Sequence, residues 1–216
     1  SKIRIFYNGV YPDSFATDAE ISDEELRAWI AGGFTAGYIG TIGMAHSTTT
    51  LVEAAARAED PDVRYVVVGG GAERANVERE IAERGLENIR VFPIQPKKEI
   101  PAIIKALGAF VVHLKNAPLF LTVVPSKMFE GMIMRRPILM GVKGESREIL
   151  DRAECAVNFE PESAEELARA LAALKADPER RRQLGENGER FVRDNFDRRK
   201  IAAELLDFIL ETKRTR

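Results

Sequence analysis

Short apolar runs alternate with stretches of helical periodicity along most of this chain, and that alternation limits its fold more than any other feature. The runs Thr35 to Ile39, Tyr65 to Val68, Ile89 to Phe92, Phe110 to Val112 and Ile138 to Met140 are rich in Val, Ile and aromatic residues, as strands are. Between them, Leu51, Ala54, Ala55 and Ala58 keep a helical spacing. So do Val77, Ile81 and Ala82, then Ile100, Ile103, Ile104 and Leu107, then Phe129, Met132 and Ile133. Strands separated by single helices pair in parallel through crossovers, so the pattern predicts an α/β fold with a doubly wound parallel sheet. Cys155 to Phe159 offers a sixth strand, and everything after Pro161 reads as helix, over 164–174, 178–192 and 199–210.

The opening is different. Ile3 to Phe6 alternates like a short strand, but Asn8-Gly9 and Tyr11-Pro12-Asp13 are turn chemistry, and the stretch reads as a linker. Asp23-Glu24-Glu25 ahead of Leu26, Trp29 and Ile30 marks a short acidic-started helix that Gly32-Gly33 ends. The expected organisation is linker and short helix over 1–33, a sheet domain over 34–194 and a closing helix over 195–216. The tail Lys213 to Arg216 reads as a solvated terminus.

Charge and composition remove several functions. A formal net charge of -2 gives no global attraction to nucleic acid or anionic lipid. Cys155 is the sole cysteine, and His46 and His113 are the only histidines, so neither an internal disulfide nor a multi-ligand Cys/His metal site can form. No apolar run approaches the ~20 residues that span a bilayer, and no signal-type segment follows Ser1-Lys2-Ile3-Arg4. A cytoplasmic setting is expected.

In open parallel sheets ligands bind outside the carboxyl ends of the strands, which selects the loops 40–47, 69–74, 93–97 and 114–127. Gly69-Gly70-Gly71 suggests a dinucleotide fingerprint, but the third glycine position of G-x-G-x-x-G falls on Arg74 and no acidic residue stands near Val91 to Pro93. The glycines read instead as a tight strand-to-helix turn. No phosphate-loop pattern exists, and Asp60-Pro61-Asp62 precedes a strand on the wrong edge and reads as a turn. The segment Pro118 to Glu130 says most. Ser126 stands at an N-cap position, so the N–H groups behind it would favour an anion; Lys127 adds a charge there, and Glu130, one turn in, is placed to accept from a sugar diol. The same residues would also make an ordinary capped helix with a surface lysine. His113 reads as a core residue and Arg135-Arg136 as a solvated helix end.

Gly40 to Ser47 with Thr50 to Ala55, then Val66 to Arg74, Pro118 to Glu130 and Arg136-Pro137-Ile138-Leu139, resemble the C-terminal domain of group 1 (family 4) glycosyltransferases. The likeness is to the subgroup that builds surface polysaccharides, including acetylfucosamine transferases. Ala176 to Arg180, Leu184 to Gly188, Phe191-Val192 and Phe196 resemble that family's closing helices. The resemblance implies a Rossmann-like domain forming the C-terminal half of a GT-B fold. It implies retaining transfer from a UDP-sugar without an essential metal or other cofactor, and an N-terminal acceptor domain that these residues do not include. Carried over by position, Glu130 matches the donor-ribose glutamate. Thr122 stands where the family's first glutamate would be, so the donor sugar would meet Thr122 and Val123 through hydroxyl and backbone groups. The diphosphate positions fall on Thr41 and His46, neither a fixed charge, with Ser126 and Lys127 compensating from the other loop; Gly70, Gly71 and Ile94 match the base and nucleotide loops. No catalytic side chain is assigned.

Two other readings stay open. One is a naturally separate, non-catalytic nucleotide-sugar-binding subunit. The other is a GT-B-like nucleotide-sugar epimerase, disfavoured by the shortage of carboxylates and histidines in the four loops. Any membrane association would come through the acceptor domain.

Overall fold

The computed structural model describes residues 3–16 and 18–214, with side chains as far as residue 212. Six strands, β1 (Phe34–Ile39), β2 (Val63–Val68), β3 (Ile89–Phe92), β4 (Ala109–His113), β5 (Ile138–Gly141) and β6 (Ala156–Asn158), form one sheet in the order β3-β2-β1-β4-β5-β6. Every pairing is parallel. The helices are α1 (Glu24–Ala31), α2 (Thr49–Ala56), α3 (Arg74–Glu83), α4 (Ile100–Ala106), α5 (Lys127–Ile133), α6 (Glu145–Ala153), α7 (Ala164–Ala176), α8 (Pro178–Asn195) and α9 (Arg198–Arg214). None is long and apolar enough to cross a membrane among the described residues.

Helices cover both faces, so the strands are apolar on both sides and lack the alternation of a half-exposed sheet. Phe110 and Val112 of β4 join Trp29, Ile103 and Phe129 in one core, while Ala109 and Val111 join Leu51, Leu167 and Leu171 in the other. Several helix starts follow from side-chain caps. Asp23 accepts from Leu26 N at 2.9 Å, and Asp177, ahead of Pro178, accepts from Arg180 N at 2.8 Å.

The structure corrects three expectations. Helix α6 was absent from the sequence reading; it opens on Gly144 (φ 73°) without a side-chain cap, because a Cβ there would lie 2.0 Å from the Leu121 carbonyl oxygen. Ile3 to Phe6 is not a strand. It lies along α9, with Arg4 paired to Glu204 at 3.1 Å and the Phe6 and Phe208 rings 5.8 Å apart. Val10 then forms a bridge to Asp197, its N–H reaching the Phe196 carbonyl at 3.0 Å while Arg198 N donates to the Val10 carbonyl at 2.9 Å. Arg136 is not solvated: it donates to the carbonyls of Leu107 (3.1 Å) and Met134 (3.2 Å), and burial lowers its pKa. Asp60-Pro61-Asp62 is the turn expected, with both carboxylates on Lys175. The reading of Lys213 to Arg216 as solvated lies outside the described side chains.

Candidate functional site

The strand order reverses direction between β1 and β4, and a cleft of about 450 Å³ opens there at the carboxyl edge of the sheet. Gly40, Thr41 and His46 line it from the loop after β1, and Gly69 and Gly70 from the loop after β2. Ile94, Gln95 and Lys97 follow β3, and Ser126, Lys127 and Glu130 come from the start of α5. The first two loops touch through their backbones: Gly40 N donates to Val68 O at 2.9 Å, Ile42 N to Gly70 O at 2.9 Å and Glu73 N to Ile42 O at 3.0 Å. That contact accounts for the glycine run. Gly69 holds φ 157°, and a Cβ on it would stand 1.9 Å from the Gly40 carbonyl oxygen.

Electrostatically the floor of the cleft is unusual. The Lys127 ammonium is shielded from solvent and has no hydrogen-bond partner among the described residues; it rests 3.9 Å from the centroid of the fully buried Tyr38 ring. Burial pulls its pKa down to about 8, against the opposing pull of Glu130. Gly40 leaves the room, since a Cβ there would meet Nζ at 2.8 Å. The Tyr38 hydroxyl donates to the Thr41 carbonyl at 2.7 Å, so one side chain braces both the β1 loop and the lysine. His46 lies edge-on to the same ring at 6.1 Å, its Nδ1 buried without a partner, and burial followed by Lys127 lowers its pKa, so it meets the cleft as neutral imidazole near pH 7. Across from these, burial raises the Glu130 pKa while Lys127 and Lys97 oppose the rise.

Seven of the residues singled out from sequence therefore share one cleft: Thr41, His46, Gly70, Ile94, Ser126, Lys127 and Glu130. Gly71, Thr122 and Val123 are not among its lining. Gly71 (φ 150°) packs on the Ile42 carbonyl, Thr122 ends an exposed turn over Pro118–Thr122, and Val123 packs against the core. Ser126 stands at the N-cap but does not cap. Its backbone is already helical (φ -58°, ψ -28°), its side chain bonds no helix N–H, and Met128 N and Phe129 N are taken by the carbonyls of Pro125 and Ser126. The anion-attracting element is thus the lysine more than free backbone amides. His113 is the core residue expected: its Nε2 accepts from Glu162 N at 2.9 Å, and burial pushes its pKa down to about 4. No group of three His, Cys, Asp or Glu side chains suited to a metal occurs among the described residues.

Sequence reasoning missed Tyr38, Gln95 and Lys97. Gln95 donates to the Asp23 carboxylate and the Pro93 carbonyl, both at 3.2 Å, and buried Glu99 accepts from Ser22 N at 2.9 Å, so the segment before α1 is pinned to the loop after β3. Lys97 lay inside a loop the strand-end rule selects, but nothing in its spacing marked it.

Residues 28–191 match the family model for glycosyl transferases group 1. Over 91 residues the chain is 33% identical to an Escherichia coli K12 protein described as a colanic acid biosynthesis glycosyl transferase, WcaI, covering 42% of this chain and 22% of that protein. It is 33% identical over 116 residues to a 2-deoxystreptamine glucosyltransferase of Streptomyces kanamyceticus, covering 51% of this chain and 30% of that one. Among solved structures, Anabaena HepE in complex with UDP and glucose superposes with a TM-score of 0.82 at 18% identity, over 95% of this chain and 56% of HepE. The C-terminal domain of a group 1 family protein, LpcC, from Francisella tularensis superposes with a TM-score of 0.66 at 23% identity, over 87% of this chain and 98% of that domain. The matched segments therefore cover under a third of the curated relatives' length, and the chain matches a little over half of HepE.

Proposed function

This chain belongs to the group 1 glycosyl transferases, and from that premise we propose that it is the donor-binding domain of a retaining enzyme, holding a UDP-sugar whose hexose or acetamido-sugar passes to a glycan or lipid-linked acceptor. The observation that carries the reading is the Lys127 ammonium, buried in the cleft with no hydrogen-bond partner. An unpaired buried charge is costly, and the diphosphate of a nucleotide supplies the counter-charge that the protein withholds. Glu130, on the same helix, accepts from the ribose diol, and Ile94, 77% exposed and packed over Gly70, offers an apolar shelf for the base.

In the transfer the anomeric bond to the diphosphate breaks as the acceptor hydroxyl approaches, and negative charge grows on the departing UDP. Lys127, and His46 once it is protonated beside the phosphates, stabilise that charge from the floor of the cleft. The acceptor would be presented by the part of the enzyme that the relatives possess beyond these residues. That HepE was solved with UDP and glucose supports the choice of donor.

Calorimetric titration of the chain with UDP tests this. Binding is expected, and Glu130→Ala and Lys127→Ala should each weaken it by roughly 10- to 100-fold, the loss typical of a hydrogen bond to a charged group. Indifference of the wild-type chain to UDP, GDP and ADP alike would sink the reading.

A further inference from the structure

We propose that Tyr38 is a positioning residue for the donor diphosphate, acting through Lys127: the face of its ring fixes the ammonium at the floor of the cleft while its hydroxyl fixes the carbonyl of Thr41. The inference rests on the reading of the cleft as a UDP-sugar site, and it concerns a side chain that does not itself line that cleft.

The argument starts from what Lys127 lacks. A lysine side chain has four rotatable bonds and is normally held, when buried, by carbonyl or carboxylate acceptors. Here no acceptor bonds Nζ, yet the ammonium is sheltered from solvent at 3.9 Å from the Tyr38 ring centroid, well inside the ~6 Å reach of a cation–π contact. Every other neighbour is a poor holder. Glu130 attracts the charge without bonding it, His46 is uncharged beside it, and Gly40 offers only clearance.

The ring is itself immovable. Tyr38 is fully buried in β1 among the side chains of the core on that face of the sheet, and its hydroxyl is spent on Thr41 O at 2.7 Å. The fixed ring defines where the ammonium rests before any ligand arrives. Because a π-face attracts a cation without occupying its three N–H donors, Lys127 keeps all of them for phosphate oxygens. A carboxylate in the same place would hold the lysine as firmly but compete with the diphosphate.

Ring fluorination tests this, because it weakens the negative face of the ring while nearly preserving its shape. UDP affinity of the full chain would be measured by calorimetry for Tyr38→Phe and for Tyr38 replaced by mono-, di- and trifluorinated phenylalanine, each also in a Lys127→Met background. Tyr38→Phe removes the bond to the Thr41 carbonyl and should weaken UDP binding by roughly 2- to 10-fold, and below that reference affinity should fall stepwise with fluorination by roughly a further 3- to 30-fold, the range expected for a desolvated cation–π contact. With Lys127→Met the fluorine dependence should vanish. Equal affinity across the series, or a decline that persists without the lysine, would overturn the inference while leaving the UDP site intact. Failure of the wild-type chain to bind UDP would overturn both, and is told apart by that single titration. Should the trifluorinated chain fail to fold, the mono- and difluorinated chains still set the slope.

Discussion

Replacing Lys127 by Met should make this protein more stable and less able to bind its donor. Methionine nearly matches the length of the lysine stem and carries no charge. The cost it relieves follows from the burial of the ammonium, which lowers its pKa from 10.5 to about 8. At ~1.4 kcal/mol per pKa unit this is roughly 3 kcal/mol, partly offset by the Tyr38 ring, so a net gain of about 2 kcal/mol is expected at neutral pH. For a domain of this size that raises the melting temperature by roughly 4–8 °C. The pH dependence has a definite sign. Below pH 8 both folded and unfolded chains hold the proton and the wild type bears the whole penalty. Between about 8 and 10.5 only the unfolded chain keeps the proton, so wild-type stability climbs with pH and the advantage of the variant fades. Urea unfolding of both chains at pH 7 and pH 10, with UDP titrations alongside, reads all of this. A variant no more stable than wild type at pH 7, or one whose advantage is unchanged at pH 10, would refute the account of Lys127 as an unpaired buried cation.

Three further outcomes follow from the same structure. UDP binding near pH 8 should take up protons, because a diphosphate restores the charge on Lys127 and raises His46, and titration in buffers of different ionisation enthalpy would expose this; a buffer-independent heat would contradict it. Gly69→Ala should cost about 1–3 kcal/mol by overpacking, since its methyl would meet the Gly40 carbonyl at 1.9 Å, and should also weaken UDP binding, because Gly40 lies under the Lys127 ammonium; both effects are checked by denaturant unfolding and calorimetry. His113, held neutral down to about pH 4, should make the protein lose roughly 3 kcal/mol as pH falls from 6.5 to 4, where only the unfolded imidazole takes up a proton; His113→Gln, which keeps an acceptor for Glu162 N, should flatten that part of the acid unfolding profile.

The sheet was legible because its signal is local and repeated. The first five strands are short, mostly apolar runs, buried on both faces except in the edge strand β3, where Arg90 is exposed, and the structure extends those readings by no more than two residues at an end. Helix α6 escaped for the opposite reason: its apolar positions are few, its entry carries no capping side chain, and its start is fixed by contact between Gly144 and Leu121, which are distant in sequence. The cleft divides along the same line. Strand-end logic led to the loops that line the cleft, and Lys127 and Glu130 stood out by charge and spacing on one helix. Tyr38 did not, since a tyrosine inside a strand announces only burial, and Lys127, the partner that gives it a role, comes from α5, far along the chain. Arg136 was misjudged because a basic residue at a helix end is ordinarily solvated, whereas two carbonyls here close around it.

The bridge at Val10 has a mechanical meaning. With Val10 bonded on both sides to Phe196 and Arg198, the incoming segment and the start of α9 cannot swing independently; they turn as one pin. That pin is seated on α5, where the Phe196 ring stacks on Phe129 at 4.5 Å, one residue from Glu130 and two from Lys127. Load carried by that pin is delivered through the aromatic stack to α5, the helix proposed to hold the donor, so leverage applied far from the cleft bears on the helix that carries Lys127 and Glu130.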